Sequence, residues 1–405
     1  PQLGRIVLAA DHAAREVRVS YFYAFSADMG GGEYPRTLRP ATGRKLYAVS
    51  QQKAPSQPGF FATIGEALEK WKSERKLHPD AIIESAHSGA YSEPDEIVLE
   101  AGERLELRAR NGTRPVLRLL DSRTSRGDAI VISGADQERL GKPDPQFLLN
   151  GLLITGRGVQ IRNRLSRVFI RHCTLVPGWT IDEHCKPQHE MEPSVELLDT
   201  TAQLIIEHSI VGSILADQNE VTTDPLRVSI TDSIVDATRE DLDAIGVSGS
   251  GHAVAHLQLT IARCTFIGAV SAHAIELAEN SIFLGRIKVA RTQIGCIRFC
   301  YVTPGSRTPR RFHCQPDGVT AGLTGPRALG AEMRVRPQFK SLRYGSPTYC
   351  QLALSTAPEI LRGADDESEM GAFHDLFNPQ RLAALTTRLE EFTPAGVQAG
   401  IIPVT

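Results

Sequence analysis

The sequence lacks most of the features that announce a chemistry. No run approaches the roughly 18 apolar residues of a membrane span, which excludes a helical crossing. No charged leader followed by an apolar core opens it either. Basic and acidic residues nearly balance, 45 against 47, for a net charge of −2, so no global field exists to attract nucleic acid or an acidic membrane. There is no Cys-x-x-Cys pair, the usual sign of a tetrahedral zinc site. The seven cysteines are odd in number and scattered, which excludes a secreted disulfide framework and points to reduced thiols and cytoplasmic synthesis. Between residues 147 and 302 no segment has the 3.6-residue period or the length of a helical-hairpin repeat.

What is present is a recurring short pattern: two or three alternating apolar residues, two polar ones, Cys or Ser, then an apolar pair and usually Gly. It reads VFIRHCTLVPG from Val168, LIIEHSIVG from Leu204, VSITDSIVD from Val228, LTIARCTFIG from Leu259 and IELAENSIFLG from Ile275, with weaker copies at Phe147–Gly156 and Cys296–Gly305. The markers Cys173, Ser209, Ser233, Cys264, Ser281 and Cys300 are spaced by 36, 24, 31, 17 and 19 residues, by subtraction of their positions. A constant core with irregular steps predicts stacked coils with variable loops. Alternation within each copy and an excess of Ile, Val and Thr select strands. The marker column is then an inward or turn-side ladder of small residues. His172 and His208, one residue earlier, are expected to point outward side by side.

The flanks read differently. Residues 1–58 form a small β-appendage and linker: Arg15–Phe25 alternates, Gly30, Gly31 and Gly32 make a turn and not a phosphate loop, and Lys45–Ser50 offers one more short strand. Pro1 is not a natural start, so tagging, processing or excision from a longer chain is expected to have shaped this end. Residues 59–305 hold the solenoid, opened by a helix on Ile64, Leu68 and Trp71 with a Thr63/Glu66 capping box. Such a helix covers the otherwise exposed end of a coil stack. Residues 306–405 are irregular, with a helix from Asn378-Pro379 to Phe392 and an apolar tail at Ala395–Val404 that is expected to dock. The Arg126-Gly127-Asp128 triplet reads as a turn.

The predicted fold is all-β, a right-handed parallel β-helix resembling the pectate-lyase-like superfamily. Enzymes of that fold use clustered carboxylates with Arg or Lys on acidic sugars. Arg286-Ile287-Lys288 resembles a polygalacturonase tripeptide and Asp365-Asp366 that family's acidic pair, but in reversed order, and Gly251-His252-Ala253 is the nearest approach to its Gly-His-Gly. Arg307-Thr308-Pro309-Arg310-Arg311 resembles a pectate-lyase stretch, with Phe312 where its second Arg belongs. His184, Cys185 and His189, and separately Cys296, Cys300, Cys314 and Cys350, are the thiol and imidazole groups that could gather around a metal. Core thiols explain the cysteines more simply, and a solvated loop explains the acidic run Asp365–Glu369. No catalytic, cofactor or metal residue is therefore assigned.

The stretches AIELAENSIFLGRIKVARTQIGCIRFCYVTPGSRTPRRFHCQP and GADDESEMGAFHDLFNPQR resemble bacterial β-helix proteins associated with phage-tail-like contractile injection systems, a likeness extending from about Phe60 onward. It implies a non-enzymatic structural or adhesive part, such as a spike, fibre or baseplate-associated piece. The partners it implies are other proteins of the particle and a cell-surface polysaccharide. A homo-oligomer is open, since spikes of this fold are commonly trimeric and the C-terminal helix has too few heptads for a coiled coil. A carbohydrate-active or carbohydrate-binding β-helix is the alternative. A long-face groove holding three or more carboxylates and a basic residue would favour that alternative.

Overall fold

The computed structural model describes residues 27–53, 59–92, 96–119, 130–135, 141–218, 220, 223–249 and 252–395. The alternating segments stack as parallel strands in three columns. One column climbs from Lys45–Val49 through Asp80–Ser85, Arg104–Ala109, Gln146–Asn150, Arg167–Arg171, Gln203–Glu207, Leu226–Thr231 and Ala255–Ala262. A second runs through Glu96–Val98, Ile130–Ser133, Val159–Asn163, Val195–Thr200, Ile214–Asp217 and Asp243–Gly246. Both enter the long strand Ala269–Glu279, which pairs with members of each before they part again to Ile287–Val289 and Cys296–Arg298. The third column is a separate nine-stranded sheet from Ala90–Tyr91 to Tyr301–Val302. This is the arrangement of a parallel β-solenoid.

The corner between the first and third columns repeats almost without variation. A strand ends, one residue adopts the left-handed conformation, the ladder residue follows, and the next strand begins. His172, His208, Asp232, Arg263, Asn280, Phe299 and His313 occupy the left-handed site, with φ between 46° and 52°. The backbone N–H after such a residue cannot reach a carbonyl of the next coil, so the ladder side chain accepts it. Cys173 N donates to Ser209 Oγ (3.1 Å), Ser209 N to Ser233 Oγ (3.1 Å), Cys264 N to Ser281 Oγ (3.0 Å) and Ser281 N to Cys300 Sγ (3.4 Å). These residues are fully buried. A small acceptor is thus required there, and the expected inward ladder is present, extended by Cys314.

The core fills the space between columns with Leu, Ile, Val and a stacked Phe266–Phe283 pair, 5.0 Å between ring centroids. The helix Ile64–Glu74 buries Ile64, Ala67, Leu68 and Trp71 against the first strands; Thr63 caps it by accepting the Glu66 N–H, while the Glu66 carboxylate reaches past the expected Thr63 N–H to that of Ala62. Lys45–Val49, read as part of an appendage, is in register with Ala81–Ser85 and continues the first column. The Gly30–Gly32 run is buried, and the reason is close approach: a Cβ on Gly31 would lie 2.6 Å from the Leu152 carbonyl. Arg15–Phe25, Arg126-Gly127-Asp128 and most of the apolar tail lie outside the described residues.

The nine-stranded sheet is apolar on both sides, as strands covered on two faces are. Its outer side packs on a second cluster that joins Met29, Ile234, Ile267, Ile282 and Tyr301 to Tyr349, Leu352, Ile360, Met370 and Phe373. The C-terminal region is more helical than its composition suggested: Gly325–Arg334 is a helix, besides Asn378–Phe392. No residue of either is buried, and no helix among the described residues is long and apolar enough to cross a membrane.

Candidate functional site

The second column and the strands after it place side chains on an open face. In Ile287–Val289 the two terminal residues point into the core, so Arg286 and Lys288 point out. Register then fixes their neighbours: Ser271 pairs with Lys288, and Lys288 bridges in parallel to Arg307. Two cations thus stand at bridged positions on neighbouring coils, roughly 4.8 Å apart along the backbone ladder, with Arg286 beside them.

These residues wall a cavity of about 630 Å³ whose floor is Ala269, Leu284, Gly285 and Ile287 and whose far side carries Glu240, Asp241 and His252. Gly285 is needed for the floor, since a Cβ there would fall 2.1 Å from the Gly268 carbonyl carbon. Each acidic group nearby is already held. Glu240 accepts from Arg336 (2.7 Å), and Arg239 chelates Asp241, lowering its carboxyl below the ordinary range. Asp243 accepts from the His252 backbone N–H (2.8 Å) and meets its Nδ1 at 2.7 Å. The cations are not matched in this way. Lys288 donates to the His252 carbonyl at 3.3 Å, and among the described residues Arg286, Lys288 and Arg307 pair with no carboxylate. The site therefore offers excess positive charge over an apolar floor, with His252, held by Asp243, in its wall.

Comparison with known families, curated proteins and solved structures returns no match. The geometry alone must therefore say which of the residues singled out in the sequence come together. Arg286, Lys288, His252 and Arg307 do. Asp365-Asp366 does not line this cavity; Asp365 accepts from Asn280 Nδ2 at the corner column (2.7 Å). The carboxylates that share the cavity with the cations are Glu240 and Asp241, with Asp243 behind His252, all from the coil two steps before Lys288; the sequence reading missed them, and their only signal was a Glu-Asp-Leu-Asp run in an otherwise ordinary loop. Arg311 is tied to Asp317 and to the Ser306 carbonyl.

The thiol and imidazole candidates disperse. Cys300 and Cys314 are buried in the ladder, where burial raises both thiols, while Cys350 sits in the second cluster beside Tyr349. His189 packs on Trp179, and His184 is exposed. His172 and His208 stack, 5.0 Å apart and nearly coplanar in orientation, and Tyr34 Oη lies 3.0 Å from His172 Nδ1. Burial, then the neighbouring His208, push His172 down to about 4.

Proposed function

We propose that this chain is a glycan-contacting β-helix whose open groove seats an acidic polysaccharide. The observation that supports this is the row Arg286, Lys288 and Arg307. Like charges placed directly opposite each other are destabilising, so a fold that keeps Lys288 opposite Arg307 without carboxylate partners gains from an anionic ligand. The apolar floor suits sugar ring faces, and coils stacked along one axis let a polymer lie across several of them. The three acidic groups are each engaged with a cation or a histidine, so the reading is recognition and not cleavage.

Affinity electrophoresis tests it. Polygalacturonate in the gel should retard the protein while a neutral glucan does not, added salt should weaken the effect, and Lys288→Ala with Arg307→Ala should abolish it. Equal retardation of that double variant, or none for the parent, defeats the reading. Steady release of reducing ends would turn it into an enzyme.

A second reading, a structural or adhesive component of a phage-tail-like contractile injection particle, draws support from apolar side chains presented at the C-terminal end: Leu329, Met333, Leu385 and Phe392 are 58%, 70%, 46% and 81% exposed. Clusters of this kind favour a protein partner. An adhesive spike would satisfy both readings. Right-handed winding, an end-covering role for Ile64–Glu74, and cytoplasmic synthesis before assembly belong to the same proposal. Co-sedimentation with sheath and tube tests it, and a chain that stays free of purified particles counts against it.

A further inference from the structure

We infer a divalent-cation site formed by Asp365, Asp366 and His374, on the covered side of the solenoid and independent of the groove. One ligand atom from each lies within 4.8 Å of the others. The acidic pair alone would mean little; the imidazole makes the case. His374 is 6% exposed and its Nδ1 lies 2.9 Å from Asp375 Oδ1, the contact that turns Nε2 toward the acidic pair. Nε2 has no hydrogen-bond partner, although Asp366 Oδ1 is only 3.2 Å away, because the ring is not aimed for an N–H to that oxygen. A buried imidazole nitrogen facing a carboxylate oxygen calls for a positive charge at that point, a proton on Nε2 or a bound cation, and the second carboxylate converging on the same point favours the bound cation.

The surroundings repeat the second layer of metal centres, in which a carboxylate behind the histidine sets its tautomer and other groups orient the acidic ligands. Asp375 plays the first part, with Arg263 Nε 3.5 Å behind it, and Asn280 Nδ2 plays the second on Asp365. One nitrogen and two carboxylate oxygens with an exposed side for water suit Mn²⁺ or Zn²⁺. The cation would pin the strap that carries Gly371 and Ala372 onto the corner column, where their N–H groups bond Asn280 O (2.8 Å) and Thr265 Oγ1 (3.0 Å).

The test titrates metal-stripped full chain with Mn²⁺ and with Zn²⁺ by calorimetry, and follows Mn²⁺ by electron paramagnetic resonance. The expected result is one equivalent bound and a higher unfolding midpoint that EDTA reverses. Asp365→Asn and Asp366→Asn, both at exposed positions, should weaken binding at least tenfold while retaining the fold, and Asp375→Asn by about 10- to 100-fold. His374→Ala should abolish binding. Failure of both cations to bind, or undiminished binding in the Asp365→Asn Asp366→Asn double variant, overturns the site. Loss in Asp243→Asn instead would place the metal in the groove and also overturn it.

Discussion

The corner column and the groove are made by the same coils, yet they are built to opposite rules. At the corner polar groups meet partners on the next coil or on the covering segments: ladder hydroxyls and thiols accept backbone N–H groups, Arg263 chelates Asp232 at 2.5 and 2.8 Å, His172 stacks on His208, and Asn280 donates to Asp365. Segments from both ends of the chain then cover that side. In the groove, among the described residues, Arg286, Lys288 and Arg307 pair with no carboxylate, although Glu240 and Asp241 share the cavity with them. Where the repeat is kept, charge is settled internally. Where loops from successive coils meet, it is left for something else to satisfy.

That contrast can be broken in order of expected effect. Phe266→Ala removes one of the two stacked rings from a fully buried site and should lower stability by about 3–5 kcal/mol, measured by chemical denaturation, while leaving retardation of the folded protein by polygalacturonate intact. Loss of binding in the still-folded variant would mean that the two regions are not separable.

Next is Asp236, buried on the covered side, where Tyr349 Oη donates to it at 2.6 Å. Burial raises its carboxyl to about 6, above the unfolded value near 3.9. A raised acid favours the protonated fold, so its contribution is complete below the unfolded value and is lost as pH rises through about 6. On the order of 3 kcal/mol should vanish between pH 4 and 6, and the stability difference between parent and Asp236→Asn should trace that loss. A flat difference curve would show that the carboxylate is stabilised by other means.

Ser209→Ala leaves the Cys173 N–H without its acceptor and should cost about 1–3 kcal/mol. Ser209→Cys should recover much of this, because Cys serves at the same position elsewhere. Smallest is Lys288→Ala: relieving repulsion with Arg307 should leave stability unchanged or raise it by less than about 1 kcal/mol. Marked destabilisation would mean that Lys288 belongs to the scaffold.

The repeat was legible because its chemistry is local. The spacings of 36, 24, 17 and 19 residues reappear as hydrogen bonds between ladder residues with those separations. The helix cap at Thr63 and the helix Asn378–Phe392 are local as well. The groove was only half legible: Arg286, Lys288, His252 and Arg307 were singled out, but Glu240, Asp241 and Asp243 come from another coil, and unequal loops hide which residues will stand side by side. His374 and Asp365 depend on how a C-terminal strap crosses the coils, and no periodicity encodes that. Leu382 and Leu385 of the helix Asn378–Phe392 lie in the open, and most of the tail expected to dock lies outside the described residues.

The strand Ala269–Glu279 has one further consequence. It passes from the second column into the first with no loop between them, pairing above and below with members of both. Coils on either side of it can lengthen at their corners, as the 36-residue step already does, but this one has no corner to spare. For anyone wishing to graft a binding peptide onto the solenoid, Ala269–Glu279 is the fixed ruler against which every permissive insertion point is measured.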